Sequence, residues 1–176
     1  QNNGNPYGAM MVNTNNITKN ATFNGNVYAQ LEPIKNLKIR TVFGAVYGSS
    51  EYRSFTPVYH FSPYVYSDYT RVAQNMNHSL GMTWTNTVSY DWNIGEHAFN
   101  ALLGTEAYRY EGTYLGGNQA YLKEGFDTWP YAWISNGTAA TTADGLNAAG
   151  NPHDASRSVS YFGRLGWNWA EKYMVN

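Results

Sequence analysis

Asn75-Met76-Asn77-His78-Ser79-Leu80-Gly81-Met82-Thr83-Trp84-Thr85-Asn86-Thr87-Val88-Ser89-Tyr90-Asp91-Trp92 alternates with period two along its whole length. Seven of its nine even positions are apolar or aromatic, and none of its nine odd positions is. Successive side chains on a strand point to opposite faces, so the stretch predicts one long strand, 75–91, with an apolar side and a polar side. A helix returns to the same face only every three or four residues and cannot produce this pattern.

The alternation recurs on both sides of that strand. Phe23, Val27, Ala29 and Leu31 oppose Asn24, Asn26, Gln30 and Glu32, while Leu37, Ile39, Phe43, Ala45 and Tyr47 oppose Lys38, Arg40, Gly44 and Gly48. Toward the end, Val159, Tyr161, Leu165, Trp167 and Trp169 alternate with Ser158, Ser160, Arg164, Gly166 and Asn168. Tyr28, Val42, Tyr108, Tyr110 and Phe162 break the rule. Five strands are therefore expected, at 22–32, 37–48, 75–91, 97–114 and 157–169. Their connections alternate too. Pro33 to Asn36, Trp92 to Glu96 and Ala170 to Lys172 are short and rich in turn formers, whereas 49–74 and 116–155 are long and irregular. Antiparallel neighbours reverse at every link, so the short links gather at one end of the sheet and the long ones at the other. Compact domains rarely contain structureless loops beyond about 12 to 15 residues, so two such loops ask for a functional reason.

Composition narrows the class. The chain has 176 residues, 43% apolar, 16% aromatic and only 13% charged, against a usual charged share of about 25%. A net charge of −1 without like-charge runs gives no footprint for nucleic acid. With no cysteine, disulfides, thiolate metal sites and thiol nucleophiles are excluded together. No apolar run approaches the roughly 20 residues of a membrane helix. Gln1 is followed by neither a basic start nor an apolar run, which fits a removed signal or an internal piece of a longer chain.

Long strands, an apolar face, a polar face nearly free of charge, short turns at one end and long loops at the other are the features of an outer-membrane barrel. Tyr90, Trp92, Trp167 and Trp169 close their strands at the short-turn end, where amphipathic rings suit a lipid–water interface. Backbone groups in lipid have no water partner, so a membrane sheet must close, and five strands cannot do so when the smallest barrels have about eight. The expected fold is all-β: an antiparallel up-and-down meander forming part of a transmembrane β-barrel wall, spanning 1–176, with long extracellular loops. The alternative is a soluble β-sandwich module that binds carbohydrate through exposed aromatics.

Asn36-Leu37-Lys38-Ile39-Arg40-Thr41-Val42-Phe43-Gly44, followed by Arg53-Ser54-Phe55-Thr56-Pro57, resembles the barrel of SusC/RagA-like TonB-dependent outer-membrane transporters. His97-Ala98-Phe99-Asn100-Ala101-Leu102-Leu103-Gly104-Thr105-Glu106 looks like that family's strand opening after a periplasmic turn. Ser160-Tyr161-Phe162-Gly163-Arg164-Leu165 with Glu171-Lys172-Tyr173 resembles its next hairpin, and Asn5-Pro6 also fits. The resemblance implies TonB-dependent uptake of oligosaccharides or peptides across the outer membrane of a Gram-negative bacterium, with a SusD-like surface lipoprotein as lid. It also implies that the plug and the TonB-contacting segment lie outside this stretch.

No catalytic constellation, cofactor fingerprint or phosphate loop occurs, so the expectation is a non-enzyme without cofactor. His60, His78, His97 and His153 are scattered without metal-ligand spacing. Glu106 and Glu111 lie five apart on one strand and face opposite sides, which is poor geometry for a glycosidase pair. Four N-x-S/T triplets start at Asn16, Asn20, Asn77 and Asn136. A chain this rich in Asn, Ser and Thr produces about three by chance. Candidate cargo contacts are loop aromatics: Tyr121, Trp129, Tyr131 and Trp133, beside Tyr114 and Phe126, in the second loop, and Tyr59, Phe61, Tyr64, Tyr66 and Tyr69 in the first. Such rings could stack on cargo or on a partner surface, or pack the loop against itself.

Overall fold

The computed structural model describes residues 6–13, 15–141 and 146–176, without the side chains at 13 and 151–154. One short helix, α1 (Pro6–Asn13), precedes eight strands: β1 (Ile17–Ile34), β2 (Leu37–Thr56), β3 (Tyr59–Ser62), β4 (Val65–Ser67), β5 (Arg71–Ile94), β6 (His97–Ala120), β7 (Asn147–Trp169) and β8 (Tyr173–Val175). Six of them form one sheet in the order β1-β2-β5-β6-β7-β8, and β3 pairs with β4 in a separate two-stranded sheet. The fold is an all-β antiparallel meander, 73% strand. A strand share above about 60% does not belong to an ordinary globular domain.

The strands run further than the alternation predicts. β1 starts at Ile17 rather than 22, β2 continues to Thr56 rather than 48, β5 spans Arg71–Ile94 rather than 75–91, and β6 reaches Ala120 rather than 114. β7 begins at Asn147, ten residues before the expected 157, so the irregular stretches shrink from 49–74 and 116–155 to the neighbourhoods of the β3–β4 hairpin and of 121–146. The reason is physical. A usual strand has about 5 to 6 residues, and β5 and β6 have 24 each. Period-two patterning is enforced where one face is apolar along its length; beyond that stretch the ladder persists with mixed side chains.

Short links are tight. Asn36 and Gly95 take left-handed backbone at φ 68° and 61°, and Ala170 and Glu171 do so in the β7–β8 turn at 49° and 56°. Glu32 Oε1 accepts the Asn36 N–H at 2.8 Å, closing the β1–β2 turn with a side chain.

The chain divides into two compact units, through both of which the long strands pass: one of 1–21, 48–78 and 112–153, the other of 22–47, 79–111 and 154–176. The first holds a small core of Phe55, Val72, Leu122 and Ala132, with Trp129 and Ile134 packed against it. In the second, apolar side chains stay outside: Phe23, Val27, Leu31, Leu103, Val159 and Leu165 are all more than 60% exposed. The chain's accessible surface is 12625 Å², whereas a folded soluble monomer of this mass exposes about 8,600 Å². Among the described residues no second sheet covers the apolar face, as a β-sandwich would require.

Candidate functional site

The two faces of the second unit separate by parity. Even positions of β5 and odd positions of β2, β6 and β7 carry the apolar side chains, as far as an ion-paired cluster of Arg109, Glu111 and Arg157 at odd positions of β6 and β7. Trp84 Nε1 donates to Thr41 Oγ1 at 2.8 Å on that face, which satisfies the one polar atom of the indole within an apolar surround. The opposite face bonds to itself. Thr85 donates to Glu106 Oε2 at 3.2 Å, Asn100 donates to Asp91, and Arg164 donates to Asn100 Oδ1 at 3.2 Å.

At the short-turn end of the apolar face the rings form a continuous row. Tyr90 stacks on Trp92 at 5.5 Å and Trp92 on Phe99 at 5.2 Å. His97 lies 6.4 Å from Phe99, then stacks on Trp167 at 5.8 Å and Trp169 at 5.9 Å, and Trp169 stacks on Tyr173 at 5.7 Å. Trp167 Nε1 also donates to His97 Nδ1 at 3.1 Å. Tyr90, Trp92, Trp167 and Trp169 were the rings expected here; His97, Phe99 and Tyr173 join them across the strands. Their place follows from parity once the register is known, and register is not written in any one strand.

Four of the five residues that break the alternation meet a partner on the neighbouring strand, an arginine for one and a glycine for three. Tyr28 on β1 sits under the Arg40 guanidinium at 4.7 Å, a cation–π contact on the polar face. Phe162 lies over Gly104, where any Cβ would collide with its ring. Tyr108 and Tyr110 reach toward Gly81, whose added Cβ would lie 3.8 Å and 4.0 Å from them. Those two tyrosines wall a groove of about 420 Å³ whose described lining carries no charge, with Asn24, Asn26, Ser79 and Thr83 supplying amides and hydroxyls.

The loop-end unit places the candidate cargo rings unequally. Tyr121 stacks on Tyr69 at 4.7 Å, and Tyr131 meets Phe126 edge-on at 5.7 Å. Trp129 and Trp133 hold the Arg53 guanidinium between them, at 3.9 Å and 4.1 Å, while Trp133 Nε1 donates to Pro130 O at 3.1 Å. Most of these rings therefore fold the second loop upon itself and onto β2. Trp133 also faces a cleft of about 350 Å³ with Lys19, Glu51, Tyr52 and Gln74. Tyr59, Phe61 and Tyr66 of the first loop, by contrast, line a cleft of about 490 Å³ between α1 and the β3–β4 hairpin, with Arg71 at its edge. Sequence reading singled out these rings but had no means of finding the cleft, since α1 has no amphipathic signal and its packing rests on Gly8 against Phe61.

No family model matches the sequence, and no curated protein matches it. Solved structures do share its fold. A chain of the RagAB peptide transporter superposes with a TM-score of 0.75 at 21% identity, over 94% of this chain and 17% of the transporter chain. The RagAB peptide importer gives 0.72 at 23% identity in its open-open state, again over 94% and 17%. In its closed-closed state it gives 0.66 at 22%, over 89% and 17%. This chain thus spans about a sixth of those it resembles, and the resemblance to the SusC/RagA-like barrel holds at the level of fold.

Proposed function

We propose that this chain is a stretch of barrel wall from a TonB-dependent outer-membrane transporter that takes up oligosaccharides or peptides together with a SusD-like lipoprotein. The observation that carries the reading is a six-stranded antiparallel sheet with one continuous apolar, uncovered face, a self-bonded polar face and a row of stacked rings at the short-turn end. Lipid is the solvent that makes such a face favourable, and the ring row lies where an interfacial girdle would lie. The fold likeness to the RagAB peptide transporter supports the same reading. On it, the even positions of β5 face lipid, the polar face lines the lumen, and Tyr90, Trp92, Trp167 and Trp169 lie at the periplasmic interface. Coupling to TonB runs through other parts of the protein, and no catalytic step is required of this one.

Of the second-loop rings, Trp133, which lines a cleft, is the one we assign to cargo contact, with Tyr121, Trp129 and Tyr131 shaping the loop that presents it. The test of the membrane reading is a pair of neighbouring substitutions in the intact protein. Met82→Arg is expected to reduce outer-membrane assembly, by about 2 to 4 kcal/mol near the midplane, and Thr83→Arg to be tolerated. Equal recovery of both variants in the outer-membrane fraction would overturn the orientation.

A further inference from the structure

We propose that the cleft between α1 and the β3–β4 hairpin binds the C-terminal end of a peptide, its last side chain apolar and its free carboxylate held by Arg71. The inference rests on the transport reading and narrows its cargo to one recognisable chemical group. The cleft, at about 490 Å³, is within the usual range for a small-ligand site and has room for a large side chain. Tyr59, Phe61 and Tyr66 line it: Tyr59 stacks on Phe61 at 4.9 Å, while Tyr66, paired with His60 across the hairpin, stacks on that ring at 5.7 Å with ring planes 4° apart. On its helical side the packing is tight, since a Cβ at Gly8 would come within 2.8 Å of the Phe61 ring.

Charge decides between cargo classes. Arg71 is the one charged residue among the described residues of the lining. It donates to the Tyr69 hydroxyl and stacks over that ring at 4.6 Å, which orients the guanidinium, and no carboxylate among the described residues pairs with it. The nearest acidic side chain of the hairpin, Asp68, is engaged with His60 at 2.7 Å. Arg71 is exposed and hydrated, and a peptide carboxylate supplies the planar, charged acceptor that its paired N–H groups fit, which the hydroxyls of a neutral sugar do not. The cleft therefore combines the two requirements of a C-terminal residue: an apolar slot and an oriented cation at its edge.

The test uses the intact transporter in lipid nanodiscs and calorimetric binding of a hexapeptide ending in phenylalanine, as free acid and as C-terminal amide. Wild-type protein is expected to bind the acid about tenfold tighter than the amide, a ratio that collapses toward one in Arg71→Gln and largely survives in Arg71→Lys. Phe61→Ala should weaken both peptides together. Equal affinity for acid and amide, or an unchanged ratio in Arg71→Gln, overturns the proposal. So does decanoate binding as tightly as the peptide acid, which would make the site one for apolar acids in general. A protein that assembles in the outer membrane and takes up maltohexaose but ignores both peptides defeats this inference alone. A protein absent from the outer membrane defeats the transport reading beneath it.

Discussion

Phe162 occupies the polar face because Gly104 has no side chain there. An aromatic ring laid over a strand glycine covers backbone that would otherwise be bare, and the arrangement depends on the hydrogen at Cα. Gly104→Ala is expected to expel the ring and cost about 1 to 3 kcal/mol, read as a lower urea midpoint for the intact barrel in detergent. Phe162→Leu in the same assay should cost less, because the smaller side chain can share the space. Trp84 makes the complementary case on the apolar face, where its indole N–H has Thr41 as acceptor. Thr41→Val should lose about 1 to 3 kcal/mol by leaving that donor unpaired, and Thr41→Ser should restore most of it. The sequence marks Tyr28, Tyr108, Tyr110 and Phe162 as exceptions to the pattern but does not explain them. The explanation lies on neighbouring strands, in Arg40, Gly81 and Gly104, and depends on register.

The long strands were legible as elements because one apolar face imposes period two, and their centres fall where the alternation is purest. Their upper ends were not. Beyond Gly48 on β2 and Tyr114 on β6 the side chains are mixed, so nothing in the composition separates a continuing ladder from a loop. The second loop shows what the mixture does instead. Arg53, an odd position of β2, is clasped by Trp129 and Trp133 and ties the 121–141 segment to a strand. Its Nη1 is buried without a hydrogen-bond partner, so the rings provide its main compensation. Arg53→Leu is expected to loosen that segment alone. Amide exchange at Ala132, Trp133, Ile134 and Gly137 should quicken by about 2- to 30-fold, the equivalent of a cation–π contact of about 0.5 to 2 kcal/mol, while amides of β5 between Leu80 and Tyr90 keep their rates. Uniform acceleration would show that Arg53 supports the whole sheet rather than one loop.

Taken whole, the chain exposes nearly half as much surface again as a soluble protein of its mass, with large apolar side chains such as Phe23, Leu31, Leu103 and Leu165 among those exposed. The isolated chain in detergent-free buffer is expected to sediment on ultracentrifugation, through its uncovered face and its unpaired β1 edge. A monomeric, monodisperse species without detergent would restore the soluble-module alternative. The row from Tyr90 through Trp92, Phe99, His97, Trp167 and Trp169 to Tyr173 has a further consequence, which is optical. Four of the six tryptophans, Trp84, Trp92, Trp167 and Trp169, belong to the unit that carries this row, and the other two flank Arg53 in the loop unit. Rings at 5 to 6 Å couple their electronic transitions, so near-ultraviolet circular dichroism from the row arises only once β5, β6 and β7 have found their register. The loop pair has its own signal, from two indoles held against the Arg53 guanidinium. Replacing Trp129 and Trp133 by phenylalanine removes the loop unit's indoles, so that the tryptophan signal that remains times the locking of the strands.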